Sequence, residues 1–416
     1  KKGVVGMRDK YPEVKIVLTV DNGIVAFDGT DFANSLGLDV IITDHHVLGK
    51  KLPNAYSVVH STKVCGSAVG WFLSKEIYKK CHPEWNEGSG KDSSRAQNDI
   101  MLKHLDLVTI ATIADLVPLT EQSRILVKFG LKYLRETKRA GLVSLFEEAT
   151  LDPKKIGTYE IGHIIAPRLN AMGRLEEGMD SLRLLCTKDE KKAKNLARII
   201  GETNRNRQQI TAETVEHAKD LSSSKISKKL LFVYHESYQP GVIGLVAGRL
   251  TEEYYLPSIV LSVGEKHSKA SARSVSGLNI IEFIREASEF LVDAGGHPMA
   301  AGFTVETKKL ELLEKKLEEL AEKLINEDHL IRKLKIDCEL PIDLVNLDLF
   351  EELLKLEPFG MKNPAPVFLS KGLEISAMKF VGKESKHVKL ELRSKNHESR
   401  IMGILFNYDK SLDLKI

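Results

Sequence analysis

Acidic and histidine residues occur in three short motifs, and each motif directly follows an apolar run. The motifs contain Asp21, then Asp44, His45 and His46, and finally Asp115. Carboxylates gathered in one place repel each other, and a bound divalent cation removes that repulsion. A mixture of Asp and His ligands suits Mn²⁺ particularly well. Taken singly, VDNG is also typical of a turn and the histidine pair of a helix cap, but the three motifs together predict a metal centre.

A second set of residues suits the binding of phosphate groups. Arg168, Asn170 and Arg174 lie in the segment PRLNAMGR, which we interpret as a loop. Arginine is suited to bidentate contacts with phosphate oxygens. The alternative for either arginine is an ion pair that only stabilises the fold.

Two segments rich in small residues carry further candidates for phosphate binding. Ser271 and Arg273 occur in SARS, and Gly295, Gly296 and His297 occur in DAGGHPMAAG. Glycines allow a ligand to approach the backbone closely, and the histidine that follows them could point at that ligand. The alternative is a plain glycine-rich turn.

The elements that must position the metal motifs form a βαβ unit. Strands are predicted at 14–20 and 40–43, with a helix at 27–38 between them. In open parallel sheets, ligands bind at the carboxyl ends of the strands, which is where VDNG and DHH lie. The segment CGSA at 65–68 precedes a predicted helix and is consistent with either an anion-binding helix start or a tight turn.

The remaining elements indicate a second α/β domain and a small β-barrel. A long helix at 189–221 connects the two α/β parts, and a leucine-striped helix at 308–324 is expected to pack on the second sheet. Polar segments at 84–99 and 222–229 are interpreted as a loop and a linker. Five short strands are predicted near the C-terminus, at 336–340, 367–368, 373–380, 387–392 and 400–406.

Composition excludes several classes of protein. The 416 residues are 42% hydrophobic and 29% charged, which is typical of globular domains and not of a disordered chain. No apolar run reaches the length of a membrane helix. The net charge is only +3, so a nucleic-acid partner must be bound by local basic patches. The four cysteines, Cys65, Cys81, Cys186 and Cys338, form no CxxC pair, and we expect a reducing cytoplasm.

The motifs VDNG, TDHH, TIAD, APRLNAMGR, ASARS and GGHPMAAGF, in this order, resemble the DHH phosphoesterase superfamily with its DHHA1 domain. Within it the sequence is most similar to the RecJ family of single-strand exonucleases, and LEPFGMKNPAPVF resembles part of that family's OB-fold domain. The implied fold class is α/β: a DHH domain at 1–187, a connecting helix and linker at 188–229, a DHHA1 domain at 230–330, and an OB-fold domain at 331–416.

The resemblance also implies an activity, which is 5′→3′ hydrolysis of single-stranded DNA with two Mn²⁺ or Mg²⁺ ions. Asp21 would bridge the ions, and His45 and Asp115 would ligate one of them. Asp44 and His46 would be catalytic residues that flank the centre, either orienting ligands or touching the scissile phosphate. The implied residues that hold the DNA phosphates are Arg168, Asn170, Arg174, Ser271, Arg273, Gly295, Gly296 and His297. A single-strand-binding protein is an implied partner, and we expect a monomer without membrane contact.

The sequence departs from the family pattern in one important respect. The aspartate-rich first motif of the family has no counterpart before Asp21, so we expect a fragment that lacks two metal ligands and has little activity alone. Two alternatives remain. One is a scaffold of the same fold that binds DNA or replication proteins without cleaving DNA. The other is a phosphodiesterase for small nucleotides or oligoribonucleotides, although such enzymes generally lack the C-terminal barrel.

Overall fold

A computed structural model describes residues 1–81, 102–222, 229–394 and 399–408. The predicted loop at 84–99 and nearly all of the predicted linker at 222–229 lie outside these residues. Within the described part of the chain, no helix is both long and apolar enough to cross a membrane.

The chain contains thirteen strands and thirteen longer helices among the described residues. The strands are β1 (Ile16–Val20), β2 (Asp39–Asp44), β3 (Ser57–His60), β4 (Leu231–His235), β5 (Ser258–Ser262), β6 (His267–Arg273), β7 (Leu291–His297), β8 (Ala300–Glu306), β9 (Cys338–Glu339), β10 (Phe368–Leu369), β11 (Leu373–Val381), β12 (His387–Ser394) and β13 (Arg400–Leu405). The helices are α1 (Lys2–Lys10), α2 (Phe27–Ser35), α3 (Gly66–Cys81), α4 (Leu105–Ala114), α5 (Glu121–Arg135), α6 (Ala140–Glu148), α7 (Ala166–Leu175), α8 (Met179–Cys186), α9 (Glu190–Ser222), α10 (Ile243–Tyr254), α11 (Ile280–Arg285), α12 (Leu310–Leu324) and α13 (Leu347–Leu354).

These elements form two compact units. One unit contains residues 1–81, Asp115–Gly130 and the described residues from Leu334 onward. The other contains the described residues from 102 to 114 and from Leu131 to Lys333, without 223–228. Each is described separately below.

The first unit is built on a parallel sheet in the order β1-β2-β3, as the βαβ pattern predicts. Helix α2 connects β1 to β2, and its buried Ala33 packs with Ile24, Val40 and Ile42. The carboxyl ends of β1 and β2 therefore lie side by side, with Val20 opposite Thr43. This pairing brings VDNG and DHH together.

β1 is an edge strand among the described residues of this sheet, and one of its faces is open. Ile16, Leu18 and Val20 alternate along it and are 55%, 51% and 44% exposed. Alternation places these three side chains on the same face. This face of β1 is therefore apolar and exposed among the described residues.

The C-terminal part of the first unit contains all five predicted strands. β9 pairs with β10, and β11, β12 and β13 form an antiparallel sheet. Helix α13 between them was not predicted. This region contacts the Asp115–Gly130 segment: the Leu119 N–H donates to the carbonyl of Met361, and the Arg124 guanidinium donates to the carbonyl of Leu356.

The second unit contains a five-stranded sheet in the order β4-β5-β6-β8-β7. The leucine stripe of α12 packs on one face of this sheet, as the spacing predicts, through Leu310, Leu313 and Leu317. The long helix α9 is also confirmed, and its Val215 and Ala218 pack with α10 and strands β4 and β5.

The interpretation of PRLNAMGR as a loop is wrong. The segment forms α7, which continues directly from a π-helical turn, Ile161–Ile165. Pro167 lies in the first turn of α7, and the π-helical turn before it is a local adjustment that lets the helical backbone continue through a proline. The residues that follow are mostly good helix formers.

Candidate functional site

Asp44 is the buried centre of the DHH motif. Its side chain is 1% exposed. One carboxylate oxygen accepts hydrogen bonds from Nδ1 of His46 at 2.7 Å and from the His45 N–H at 2.7 Å. The other accepts from the Ile24 N–H at 2.9 Å. The hydrogen bonds that the Asp44 carboxylate accepts therefore hold the ring of His46 and the backbone of His45 in place. Asp44 is a positioning residue in this geometry.

Hydrogen bonding also sets the charges of this pair. Burial raises the pKa of Asp44, but the hydrogen bonds from His46 and from three backbone N–H groups outweigh it and lower the pKa to about 2. The bond to Asp44 raises the pKa of His46, against the effect of burial, and the charges of Asp21 and Asp115 add to the increase. Asp44 is therefore ionised at neutral pH.

His45 points at two carboxylates. Its Nε2 lies 3.1 Å from Oδ1 of Asp21 and 3.3 Å from Oδ2 of Asp115. This nitrogen is buried and has no hydrogen-bond partner among the residues that the structure describes. A buried nitrogen left unsatisfied beside two carboxylate oxygens suits a shared cation, because Asp and His supply the donor atoms that Mn²⁺ accepts. Asp21, His45 and His46 also offer ligand atoms within 4.8 Å of one another.

Asp21 is held in place by the start of α3. Its backbone has a positive φ of 65°, and its N–H donates to the carbonyl of Thr43. Gly66, the first residue of α3, lies against its side chain: a Cβ on Gly66 would be 2.2 Å from Oδ1 of Asp21. The carboxylate of Asp21 therefore lies in contact with the CGSA segment at the start of α3.

Asp115 enters the centre from the end of α4, where Leu116 has a positive φ of 55° and turns the chain. One neighbouring residue was missed from the sequence. Nε2 of His60, at the end of β3, contacts the carbonyl oxygen of His46 at 2.7 Å. His60 is the last residue of β3, and an acidic or histidine residue at a strand end is the pattern that identified Asp21 and the DHH motif. The strand was not predicted because it is only four residues long.

All the predicted phosphate-binding residues lie in the second unit. Arg168 on α7 forms an ion pair with Glu148: its Nε donates to Oε2 at 2.9 Å. Arg205 on α9 contacts the other oxygen of Glu148 at 2.6 Å. The structural ion pair considered for Arg168 is thus present, and Glu148 fixes the direction of its guanidinium. Asn170, on the same helix, is exposed.

Strands β6, β8 and β7 place Ser271, Arg273, Gly295 and His297 on one sheet face, with Gly296 alternating to the other face and Arg174 on α7. Arg273 lies opposite Ala300, which lies opposite His297. Two positions along, Ser271, Gly302 and Gly295 form a second row. These four candidates are strand residues and not members of a loop. Gly295 and His297 are exposed, whereas Ser271 and Arg273 are partly buried beside Gly244 of α10.

Four arginines of the second unit form a cluster. Burial and the charge of Arg174 lower the pKa of Arg273. Burial and the charges of Arg174 and Arg168 lower the pKa of Arg207. Arg174, Arg207 and Arg273 have no carboxylate partner in the described part of the chain. Three neighbouring guanidinium groups without carboxylate partners favour the binding of an anion. This cluster is therefore suited to bind a phosphate group.

Arg207 was not predicted from the sequence. It lies on α9, where its Nη2 donates to Oδ1 of the fully buried Asn204, while its Nε is buried without a partner among the described residues. A buried asparagine in a highly polar helix is unusual, but only the structure shows that it is buried.

Models of three domains match the sequence in the predicted order. They are the DHH family N-terminal domain at residues 4–112, the DHHA1 domain at 227–324 and the RecJ OB domain at 336–415. The chain belongs to the DHH/RecJ superfamily. This confirms the fold class: an α/β protein with a parallel sheet, a DHHA1 domain and a small C-terminal OB-fold sheet.

Curated relatives are similar to this chain over most of its length. The chain is 32% identical to the single-stranded-DNA-specific exonuclease RecJ of Bacillus subtilis (strain 168), over 93% of this chain and 48% of that protein. It is 30% identical to RecJ of Thermus thermophilus, over 91% of this chain and 53% of that protein. The chain therefore spans about half the length of these two relatives.

Solved structures of RecJ proteins resemble most of the chain. The structure of Thermus thermophilus RecJ in complex with Mn²⁺ gives a TM-score of 0.83 at 27% identity, covering 99% of this chain and 59% of that one. An exonuclease RecJ bound to manganese gives 0.62 at 28% identity, covering 79% of this chain and 80% of that one.

Proposed function

We propose that the full-length protein is a metal-dependent 5′→3′ exonuclease specific for single-stranded DNA, with a role in DNA repair and recombination. The observation that supports it most is the buried Nε2 of His45, left unsatisfied between the carboxylates of Asp21 and Asp115. Relatives across most of the chain are named single-stranded-DNA-specific exonucleases, and two RecJ structures contain Mn²⁺ or Mg²⁺.

Asp21, His45 and Asp115 are the proposed ligands that would hold Mn²⁺ or Mg²⁺, and Asp21 would be shared between two such ions. Bound metal supplies an activated water that can hydrolyse a phosphodiester bond. Asp44 fixes the backbone of His45 and the ring of His46, so it orients a ligand without needing to touch the ion. His46, positively charged over a wider pH range than a free histidine, is suited to contact an oxygen of the scissile phosphate.

The arginine cluster is the proposed DNA-backbone site. Arg174, Arg207 and Arg273 supply charge, and Glu148 aims the guanidinium of Arg168. The remaining contacts are assigned to Asn170, Ser271, Gly295, Gly296 and His297. The small residues between Arg273 and His297 would allow a sugar-phosphate backbone to approach the sheet.

The other parts of the proposal rest on the family relationship. The domain boundaries are 1–187, 188–229, 230–330 and 331–416. The full-length protein is a cytoplasmic monomer, and a single-strand-binding protein is a candidate partner.

The test is a nuclease assay on the full-length protein with 5′- and 3′-labelled single strands. Asp115→Ala removes a ligand and should slow hydrolysis more than the roughly 10–100-fold seen when only outer partners of a metal are lost. Asp31→Ala, which removes an exposed carboxylate on α2, is the matched control and should change the rate by less than about twofold.

The Mn²⁺ dependence is measured in the same assay. Cleavage that persists in EDTA, or an Asp115→Ala protein as active as the control, would show that these residues do not form a catalytic metal centre. Binding of single strands without any cleavage by the full-length protein would favour the scaffold alternative.

A further inference from the structure

Helix α13 presents an apolar stripe that no described residue covers. Leu347, Phe350 and Leu354 are spaced three and four residues apart, which places them on one face of the helix. They are 78%, 55% and 40% exposed. The inner face is formed by Leu349 and Leu353, which are half-buried. A helix of two turns is marginally stable by itself and normally packs its apolar side chains against a neighbour. An exposed apolar stripe on such a helix therefore indicates a binding surface.

A groove runs along the same helix. Its volume is about 520 Å³, and leucines and carboxylates line it together. Leu340, Leu344 and Leu349 supply its apolar lining, and Asp348 and Glu351 are among its acidic groups. Grooves with apolar walls and a few charged groups accommodate the side chains of an amphipathic helix.

The charge of this surface restricts its occupant. Residues 341–356 contain four acidic side chains and one lysine, and that lysine, Lys355, pairs with Glu352. The carboxylates would repel the phosphates of a nucleic acid. They would also repel the same surface on a second copy of the chain, because a twofold interface places like patches together. Charge complementarity therefore favours a basic partner.

We propose that α13 and its groove, the α13 surface, bind a basic amphipathic helix of another protein. The partner places apolar side chains, spaced three and four residues apart, over Phe350 and into the groove. Its lysines or arginines lie beside Asp348 and Glu351. Phe350 is the expected centre of the interface because aromatic side chains dominate binding energy in such contacts.

The test uses the full chain and a designed 16-residue peptide with leucines spaced three and four apart and lysines at the other positions. Fluorescence anisotropy should show binding that weakens about tenfold or more in Phe350→Ser, since this removes the anchor. Glu351→Lys should weaken binding and reduce its salt dependence. The controls, Leu312→Ser and Glu319→Lys, change an exposed leucine and an exposed glutamate on α12 and should alter binding less than twofold.

Three further measurements distinguish a basic partner helix from other molecules or segments that could cover the α13 surface. A scrambled peptide of the same composition, and one with glutamate for lysine, should bind at least about tenfold more weakly. Equal binding of the peptide to Phe350→Ser and wild type overturns the proposal. A lower melting temperature of Phe350→Ser shows that the chain itself covers the stripe, and a shift from dimer to monomer in sedimentation shows that a second copy does. Either result also overturns it.

Discussion

Gly66→Ala should weaken metal binding although it changes no proposed ligand. A Cβ on Gly66 would lie 2.2 Å from Oδ1 of Asp21 and 2.6 Å from its Cγ. Ordinary contacts of a carbon atom need about 3.5 Å, so the carboxylate must move by about 1 Å. Metal–ligand distances tolerate only about 0.2 Å. The backbone of Asp21, already at a positive φ, has little freedom to compensate.

We expect the affinity for Mn²⁺ to fall by about 10–100-fold, the range typical when support of a metal ligand is lost. Nuclease activity of the full-length protein should fall with it. Helix propensity works in the opposite direction, since alanine is better than glycine in a helix. Gly70→Ala is the matched control: its added Cβ would meet Cγ1 of Val20 at 3.4 Å, an ordinary contact on the same helix.

Titration calorimetry with Mn²⁺ on both variants measures the effect, and circular dichroism confirms that each is folded. If folded Gly66→Ala bound Mn²⁺ as tightly as Gly70→Ala, the carboxylate of Asp21 would not be a ligand in the position described here, and the reasoning would be refuted.

Three other results are expected. Arg207→Ala should weaken binding of single-stranded DNA and reduce the salt dependence of the binding constant by about one phosphate contact. Arg198, on the same helix, is paired with Glu202, so Arg198→Ala should not have this effect. Equal salt dependence in the two variants would contradict the cluster assignment. Glu148→Gln should lower the free energy of unfolding by about 2 kcal/mol, because the largely buried Arg168 loses its charged partner. Urea unfolding checks this beside Glu202→Gln, which changes an exposed pair worth less than about 1 kcal/mol. The pKa of Asp44 in the folded state is about 2, below its unfolded value. Its ionised carboxylate should therefore add about 2 kcal/mol to the free energy of unfolding above pH 4, and this contribution should disappear as the pH falls toward 2. An Asp44→Asn protein whose stability depends on acid pH as that of wild type does would exclude this.

The part of the metal centre formed by Asp21 and the DHH motif could be predicted from local sequence because these residues lie at strand ends, whereas Asp115 follows a helix. Two apolar runs, each ending in an acidic motif and separated by a helix, leave few arrangements other than adjacent parallel strands. The register of β1 and β2 then places Asp21 next to Asp44. Tertiary contacts were not needed for that inference.

The phosphate cluster was only partly predictable. The proline and glycine of PRLNAMGR suggested a loop, but Pro167 is compatible with a first helical turn. Glu148 and Arg207 were missed because their roles come from contacts between distant segments. Gly201 illustrates this: a Cβ there would lie 1.9 Å from a carboxylate oxygen of Glu148, a constraint that nothing near Gly201 in the sequence indicates.

The short segment Asp115–Gly130 has a consequence for regulation. It begins with a proposed metal ligand, and four residues later the Leu119 N–H is bonded to the carbonyl of Met361 in the C-terminal β region. Gly360 also lies against Leu119, since an added Cβ would be 2.7 Å from its Cδ1. A ligand that shifted the C-terminal region through this bond would act on the segment that carries Asp115. By thermodynamic reciprocity, metal loading would alter the affinity for that ligand by the same factor that the ligand alters metal affinity. The C-terminal region would thus report on the occupancy of the metal centre as well as bind its own partners.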